Sequence, residues 1–315
     1  MVNTDSCRRT KSVQLSQSGC SAFEFCVHFD NATARTQGST FTGPNASQFT
    51  METAIERIYS GYNFINNEIS DPRTTTWPLV GSPWPIMIVV GLYLYFVNSL
   101  GPRLMENVQP FRIERIMIVY NLFQIAVNLY IFYMCTQLGW VNKYSWLCEP
   151  VDYSDDPDSL KVASITWLYF IVKVTDLLDT VFFVLRKKNS QITFLHVYHH
   201  AAMVFGTWIA AKYLPGGHGT FVGFLNTFVH VIMYTYYLMT IVNPEYKKSI
   251  WWKKHITQLQ MTQFMMITVH ASQLLFRDCG YPQWVGYIVV PQNAFMFVLF
   301  YDFYRKAYCG EKKNV

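Results

Sequence analysis

Charged side chains are scarce in this chain of 315 residues. Asp, Glu, Lys and Arg make up 14% of it, whereas 51% is hydrophobic. Soluble domains carry roughly 25% charged residues, which they need to cover their surface. This shortage excludes a disordered chain, a nucleic-acid-binding protein and most soluble enzymes. The composition predicts an all-α, polytopic membrane protein.

The N-terminal part lacks long apolar runs. No apolar run of 7–15 residues occurs in residues 1–50, so we expect no secretory signal peptide. Residues 1–75 are predicted to be a polar, disordered tail on the lumenal side. Two glycosylation sequons begin at Asn31 and Asn45, and both are usable only in the lumen. Met51 is an alternative start that would remove both of them.

Long apolar runs recur beyond Trp77, and each is long enough to cross about 30 Å of hydrocarbon. They predict seven transmembrane helices in a membrane domain at 76–305, followed by a cytosolic tail at 306–315. Fourteen Lys and Arg residues fall in one set of connections and four in the other, which places the N-terminus in the lumen and the C-terminus in the cytosol. The predicted spans are 80–100, 115–136, 162–185, 194–213, 219–242, 256–276 and 284–304.

The predicted topology assigns a compartment to two cysteines and to two lysines. Cys148 and Cys279 lie in two different lumenal loops, and their spacing allows either a disulfide or two free thiols. Lys312 and Lys313 stand near the end of the cytosolic tail. A dilysine at that place is typical of retrieval to the endoplasmic reticulum.

The third predicted span carries ionisable residues, which are costly inside a bilayer. Lys173, Asp176 and Thr180 share one helical stripe, and Asp179 lies beside it. A purely structural ion pair would explain Lys173 and Asp176. The additional carboxylate and hydroxyl exceed what neutralisation requires, so they favour a functional site.

Three histidines lie on one face of the fourth predicted span. His196, His199 and His200 are spaced i, i+3 and i+4. Histidines in this pattern are typical of metal ligands or of acid/base and nucleophilic groups. A di-iron site needs further histidine boxes, and this chain has 8 histidines and no second box. A di-iron site is therefore not expected, whereas the spacing leaves a mononuclear metal site open.

The next two spans carry further polar groups on their inward faces. Lysines at a membrane entrance often only contact lipid headgroups. Beside the histidines, however, these groups indicate a pocket that is cationic at its mouth and apolar within. Such a pocket suits an acyl chain with a phosphorylated head. The residues are Asn226, His230, Tyr234 and Tyr237 in the fifth span, and Lys253, Lys254, Thr257 and Gln260 in the sixth.

These motifs, in this order, resemble those of the ELO family of very-long-chain fatty acid elongases, which are 3-ketoacyl-CoA synthases. The resemblance covers about residues 71–308, and Asp176 stands where the family usually has Glu. The matching motifs run Lys173-Val-Thr-Asp176-Leu-Leu-Asp179-Thr180, His196-Val-Tyr-His199-His200, Asn226-Thr-Phe-Val-His230 with Met233-Tyr234-Thr-Tyr236-Tyr237, and Thr257-Gln-Leu-Gln260-Met-Thr-Gln263.

The resemblance implies an activity and an architecture. The activity is condensation of a long-chain acyl-CoA with malonyl-CoA to give 3-ketoacyl-CoA, CoA and CO2, with no bound cofactor or metal. The architecture is a barrel of six helices around an acyl tunnel, with the first span outside it. Phe221, Phe224 and Trp284 are candidates for closing the tunnel.

Residue roles are carried over in the same way. His199 would be the nucleophile that forms an acyl-imidazole, or alternatively a base. His230 and Asn226 would act as base or stabilise the enolate that forms when malonyl-CoA loses CO2. His196, His200 and Asp179 would orient the histidine motif of the fourth span. A third set would bind the substrates, and Asp176 pairs with Lys173 in that set. Its members are Lys173, Asp176, Tyr234, Tyr237, Lys253, Lys254, Thr257 and Gln260.

The resemblance also implies a disulfide, a cellular membrane and partner enzymes. It favours a Cys148–Cys279 disulfide and an endoplasmic reticulum membrane. It implies partnership with the 3-ketoacyl-CoA reductase, 3-hydroxyacyl-CoA dehydratase and enoyl-CoA reductase of the elongation cycle, and it allows a homodimer. A seven-span receptor or transporter is the competing hypothesis. That hypothesis does not explain polar groups at the cytosolic ends of three spans.

Overall fold

The computed structural model describes residues 46–309. Within that range the secondary structure is helical, and single π-helical turns extend α1, α2, α4 and α9. The α-helices are α1 (Ala46–Asn63), α2 (Pro83–Tyr95), α3 (Gly101–Met105), α4 (Glu114–Cys135), α5 (Pro157–Leu185), α6 (Phe194–Tyr213), α7 (Thr220–Val242), α8 (Ile250–Ser272) and α9 (Trp284–Tyr304).

A helix lies at each of the seven predicted spans, and α6 and α9 have the predicted limits. Two helices, α5 and α8, begin more than one turn before their apolar runs. The helix α5 begins at Pro157, because the Asp156 side chain accepts a hydrogen bond from the Asp158 N–H and caps it. In α8, Lys253, Lys254 and His255 interrupt the apolar run, so hydropathy alone does not include the first two turns.

Four segments within the described residues are long and apolar enough to cross a membrane. They are Pro83–Met105, Glu114–Trp140, Gly217–Val242 and Trp284–Cys309. The other three long helices, α5, α6 and α8, carry most of the ionisable groups of the predicted site, which lowers their hydropathy. The chain is therefore an integral membrane protein with at least these four apolar segments.

Six helices contact one another in a closed order. The sequence of neighbours is α4, α7, α8, α9, α6, α5 and back to α4. The α2–α3 segment contacts α5 and α6 from one side. Val90 of α2, Phe170 of α5 and Val204 of α6 belong to the apolar cluster that joins them. The closed order leaves space at its centre, and the candidate site lies there.

The loop before α2 is fixed to the end of α6 by a buried lysine. Lys212 is 0% exposed, and its Nζ donates to the carbonyl oxygens of Val80 and Gly81 at 3.3 and 3.1 Å. The backbone N–H of Asp71 donates to the Lys212 carbonyl. The Asp71 carboxylate accepts hydrogen bonds from Arg73 and raises the pKa of that guanidinium. These contacts place the start of α2 at the same end of the molecule as the end of α6.

Two loops at that end are joined covalently. Cys148, between α4 and α5, forms a disulfide with Cys279, between α8 and α9, and their Cα atoms are 6.2 Å apart. Part of the predicted N-terminal tail differs from expectation, since α1 and the turn Phe64–Glu68 are helical. The sequons at Asn31 and Asn45 and the lysines Lys312 and Lys313 lie outside the described residues.

Candidate active site

A buried ion pair lies within α5. The Nζ atom of Lys173 is 2.8 Å from Oδ2 of Asp176, and each residue is 2% exposed. Residues three apart on a helix face the same side, as the sequence predicts. Burying two charges is costly unless further hydrogen bonds satisfy them. The neighbouring helices supply these bonds.

The Asp176 carboxylate accepts hydrogen bonds from two other helices. Gln124 Nε2 of α4 donates to Oδ1 at 2.9 Å, and the Tyr234 hydroxyl of α7 lies 3.1 Å from the same oxygen. The Tyr234 hydroxyl is also 2.8 Å from Oδ2 of Asp179. Tyr234 therefore lies between the two carboxylates of α5.

His230 of α7 contacts the ion pair. Its Nδ1 is 3.3 Å from Lys173 Nζ and 3.7 Å from Asp176 Oδ2. A lysine ammonium can only donate hydrogen bonds, so Nδ1 of a neutral His230 is the acceptor. The hydrogen of the ring then resides on Nε2. His230 thus presents an N–H donor on the side away from Lys173.

Asn226 lies one turn from His230 on α7. The Tyr169 hydroxyl of α5 donates to Asn226 Oδ1 at 2.9 Å, which leaves the NH2 group of the amide as the donor. Lys173 Nζ lies 5.0 Å from the centre of the Tyr169 ring. Asn226 and His230 therefore both offer N–H groups from one face of α7.

The three predicted histidines of α6 have different surroundings. His196 Nε2 is 3.0 Å from the Thr180 hydroxyl, which is 2.9 Å from the Tyr93 hydroxyl of α2. The His196 and His200 rings are 4.3 Å apart, and the His199 and His200 rings 5.5 Å. Of the three, His199 borders the central cavity.

The central cavity has a volume of about 440 Å³ and is bordered by all six helices of the closed order. On α6 its wall extends from His199 to Leu214, just past the end of the helix. Fifteen residues of helix correspond to about 22 Å. The wall is mostly apolar, and Asn226 lies in it together with His199. The cavity is therefore a long, narrow, apolar space with polar groups beside His199.

The far end of the cavity differs from the sequence prediction. Trp284 lines it, but Phe221 and Phe224 do not. Phe221 instead stacks on His270 at 3.9 Å between ring centres, and Phe224 stacks on Phe132 of α4 at 5.2 Å. Both rings pack between helices, a position that helical spacing alone could not distinguish from the wall.

Four predicted substrate-binding residues lie outside the Lys173 network. Lys253 and Lys254 stand at the start of α8, and Lys253 is exposed. The Thr257 hydroxyl donates to the Lys253 carbonyl of its own helix. Gln260 Nε2 lies 3.7 Å from the Met233 sulfur. Tyr237 contacts the site through its ring, 5.9 Å from that of Tyr234.

Sequence reasoning missed the polar residues of α4. Gln124 donates to Asp176, to the Tyr120 hydroxyl at 3.0 Å and to the Thr175 hydroxyl at 3.1 Å. Asn128 Nδ2 donates to Gln124 Oε1 at 3.2 Å. The signal was present, because Asn121, Gln124 and Asn128 are spaced three and four residues apart in a mostly apolar span.

Gln263 of α8 ends the motif that begins at Thr257, but the sequence alone assigned it no role. It lines the cavity, is buried, and its Oε1 atom has no hydrogen-bond partner within the described residues. Among residues 46–309 no group of three or more His, Cys, Asp or Glu side chains is arranged to hold a metal ion.

Comparison with known proteins assigns the family. The model of the ELO family, described as the GNS1/SUR4 family, matches residues 78–315. The chain belongs to the ELO family. The match includes α2 to α9 and every residue of the polar network described above.

Named relatives agree with this assignment. A very long chain fatty acid elongase of Aedes aegypti is 46% identical over 270 residues, which are 84% of this chain and 74% of the relative. Very long chain fatty acid elongase 7 of Rattus norvegicus is 47% identical over 241 residues, 76% of this chain and 86% of the relative. Very long chain fatty acid elongase 1 of Homo sapiens is 42% identical over 246 residues, 78% and 88% of the two chains.

Proposed function

We propose that this ELO family member is a very-long-chain fatty acid elongase that condenses a long-chain acyl-CoA with malonyl-CoA. The products are 3-ketoacyl-CoA, CoA and CO2. One observation carries the proposal. An apolar cavity about 22 Å long has His199 and Asn226 in its wall, and Asn226 lies one helical turn from His230, which contacts the buried pair of Lys173 and Asp176. The names of the relatives support the same activity.

The cavity wall suits the acyl chain. Its depth and apolar lining favour methylene groups, and a thioester at the polar end would lie beside His199. We propose that the ring of six helices encloses this chain within the membrane. Trp284 borders the far part of the cavity and would limit the length of chain accepted.

The first half-reaction uses His199 as the nucleophile. A ring nitrogen attacks the thioester carbonyl, the C–S bond breaks, and CoA leaves as the thiol with the proton of the imidazole. The acyl group stays on His199 as an acyl-imidazole, which histidine can form. The disulfide removes Cys148 and Cys279 as thiol nucleophiles, and Cys135, which borders the cavity, lies on a different helix from His199.

The second half-reaction needs stabilisation of an enolate. Malonyl-CoA loses CO2, and the electrons of the broken C–C bond pass to the thioester oxygen. The resulting carbon attacks the acyl carbonyl, the bond to His199 breaks, and the released ring nitrogen takes up a proton from water, which restores the neutral imidazole. The Nε2–H of His230 and the amide of Asn226 would donate to the enolate oxygen. The tautomer set by Lys173 favours this donor role of His230 over that of a base.

The remaining predicted residues position these groups. Lys173 and Asp176 would orient His230, and Tyr234 would connect Asp176 to Asp179. Lys253 and Lys254 would bind CoA phosphates at the mouth of the cavity.

We propose that the protein lies in the endoplasmic reticulum membrane with a lumenal N-terminus, and that the other enzymes of the elongation cycle are its partners. Those enzymes consume the 3-ketoacyl product.

The test uses microsomes from cells that express the full chain, supplied with labelled malonyl-CoA and acyl-CoAs of graded length. Label should enter 3-ketoacyl products with the wild type. His199→Ala and His230→Ala should each lower the rate by about 100-fold or more, the scale of a lost catalytic group. His255→Ala is the matched control, because His255 is exposed at the start of α8. Wild-type turnover by His199→Ala would overturn its assignment as nucleophile.

A second measurement distinguishes a covalent acyl intermediate on His199 from a direct reaction in which His199 acts only as a base. Wild type incubated with labelled acyl-CoA alone should retain label after denaturation and release CoA thiol. The His199→Ala variant should retain none. If the wild type condenses substrates but never holds label, His199 acts as a base in a direct reaction.

A further inference from the structure

Helix α1 has one apolar face. At 100° per residue, Ile55, Ile58, Tyr59 and Tyr62 fall within about 60° of one direction. Ile58 and Tyr59 are 72% and 71% exposed. Side chains of this size are seldom left in water as a continuous stripe.

The opposite face of α1 is polar. Glu56, Arg57 and Ser60 point away from the stripe and are exposed. The helix is therefore amphipathic, with a narrow apolar side and a charged side. This pattern is typical of a helix that lies in the plane of a membrane interface.

The apolar face is directed at the start of a membrane-crossing helix. The Tyr62 hydroxyl is 3.5 Å from Oγ of Ser82, the residue that caps α2. One turn further along, the buried Asn66 donates from Nδ2 to the Gly81 carbonyl at 3.1 Å. The end of α1 therefore lies where the membrane-crossing segment of α2 begins.

The same face continues beyond the edge of the protein. Ile55 lies eleven residues before Asn66, about 16 Å away along a helix. Over that distance the face changes from buried at Asn66 to exposed at Ile55 and Tyr59. In the first turns of α2, directly after Ser82, Trp84 and Ile88 are also exposed. Exposed apolar side chains therefore occur on both helices that meet at Ser82, α1 and the membrane-crossing α2.

We propose that residues 53–62 of α1 form an interfacial helix that lies on the bilayer beside α2. The occupant of the apolar face is lipid, at the membrane surface opposite the histidines of α6. Ile55, Ile58 and Tyr59 enter the boundary between headgroups and acyl chains. Glu56, Arg57 and Ser60 face the water. The helix thereby holds the entry of α2 at a fixed depth through Tyr62 and Asn66.

The test uses the full chain in lipid nanodiscs with a nitroxide spin label at one cysteine. Cysteines outside the Cys148–Cys279 disulfide are first replaced by Ser or Ala. Ile58→Cys places the label on the apolar face, and Ser60→Cys is the matched control on the polar face. Ile55→Cys repeats the apolar measurement if the first variant does not purify. Collision rates with oxygen, which enters lipid, are compared with those of a water-soluble nickel chelate.

The expected result is a reversal between the two faces. The ratio of oxygen to nickel collisions should be several-fold higher at positions 58 and 55 than at position 60. Equal, water-like ratios at both faces would overturn the proposal and place the helix in solution. Protection of position 58 from both reagents, with a dimer in solution, would overturn it in favour of a second copy of the chain. Condensation activity does not enter the measurement, so the result is independent of the proposed function.

Discussion

Lys173 and Asp176 are each buried and each depends on the other for neutralisation. Lys173→Met leaves a buried carboxylate without its cation, and Asp176→Asn leaves a buried ammonium without its anion. Either change should cost about 3–5 kcal/mol of unfolding free energy, the scale measured for broken buried pairs. The double variant should lose less than the sum, because no unpaired charge remains. Thermal unfolding of the purified variants checks the ranking.

An exposed pair with the same spacing supplies the control. Lys248 Nζ is 2.8 Å from Glu245 Oε1, and both side chains are solvent-exposed. Lys248→Met should change stability little, since exposed pairs contribute about 0–1 kcal/mol. Additive losses in the Lys173 and Asp176 variants would contradict a coupled pair. They would indicate that each residue is held by its other partners.

For individual residues, the sequence predicts which side chains of one helix lie on the same face. Lys173, Asp176 and Thr180 share a stripe because helical geometry is local. The sequence does not predict that Gln124 of α4 and Tyr234 of α7 meet on Asp176, since both contacts join residues more than 50 positions apart. Those contacts depend on which helices are neighbours, and hydropathy does not contain that information.

Helix α6 offers a direct test of the cavity. Gly206 borders the cavity, and a Cβ atom there would meet no atom within 4 Å. It lies seven residues from His199, on the same face and about 10 Å further along the helix. Gly206→Leu should fill that space and shorten the longest acyl-CoA that is elongated. Short acyl-CoAs should still react. Product lengths from labelled malonyl-CoA check this outcome.

The matched control for that change is Gly91 of α2. It is exposed, and a Cβ atom there also meets nothing within 4 Å. Gly91→Leu makes the same chemical change on the outside of the helix ring, so the product lengths should stay as in the wild type. An unchanged length limit in Gly206→Leu would mean that the acyl chain does not pass this wall.

Element positions were largely predictable. The apolar runs at 194–213 and 284–304 coincide with α6 and α9, because a long apolar run is recognisable from its own composition. The helix α8 begins at Ile250 rather than at residue 256, since Lys253, Lys254 and His255 interrupt the apolar run although the backbone there is helical. Phe221 and Trp284 were equal candidates for the cavity end, and packing separated them. Phe221 is held by His270, whereas Trp284 faces the cavity.

For the whole molecule, the disulfide joins two connections that are far apart in sequence. Cys148 and Cys279 are separated by 131 residues. Replacing both by Ser should lower stability by about 2–5 kcal/mol, because the unfolded chain regains the freedom that a long closed loop removes. Thermal unfolding with and without reductant checks this. Cys309→Ser is the control, since Cys309 is a free, exposed thiol. Equal stability of the Cys148/Cys279 double variant and the wild type would contradict a structural role of the bond.

The position of the same bond also orders events during biosynthesis. Between the two cysteines the ribosome must produce α5, α6, α7 and α8. A nascent chain that stops before residue 279 therefore retains a single thiol in that pair. The disulfide between Cys148 and Cys279 can therefore form only after α8 has been made. A chain that contains this disulfide has therefore been synthesised past the last of the histidine, asparagine and glutamine motifs.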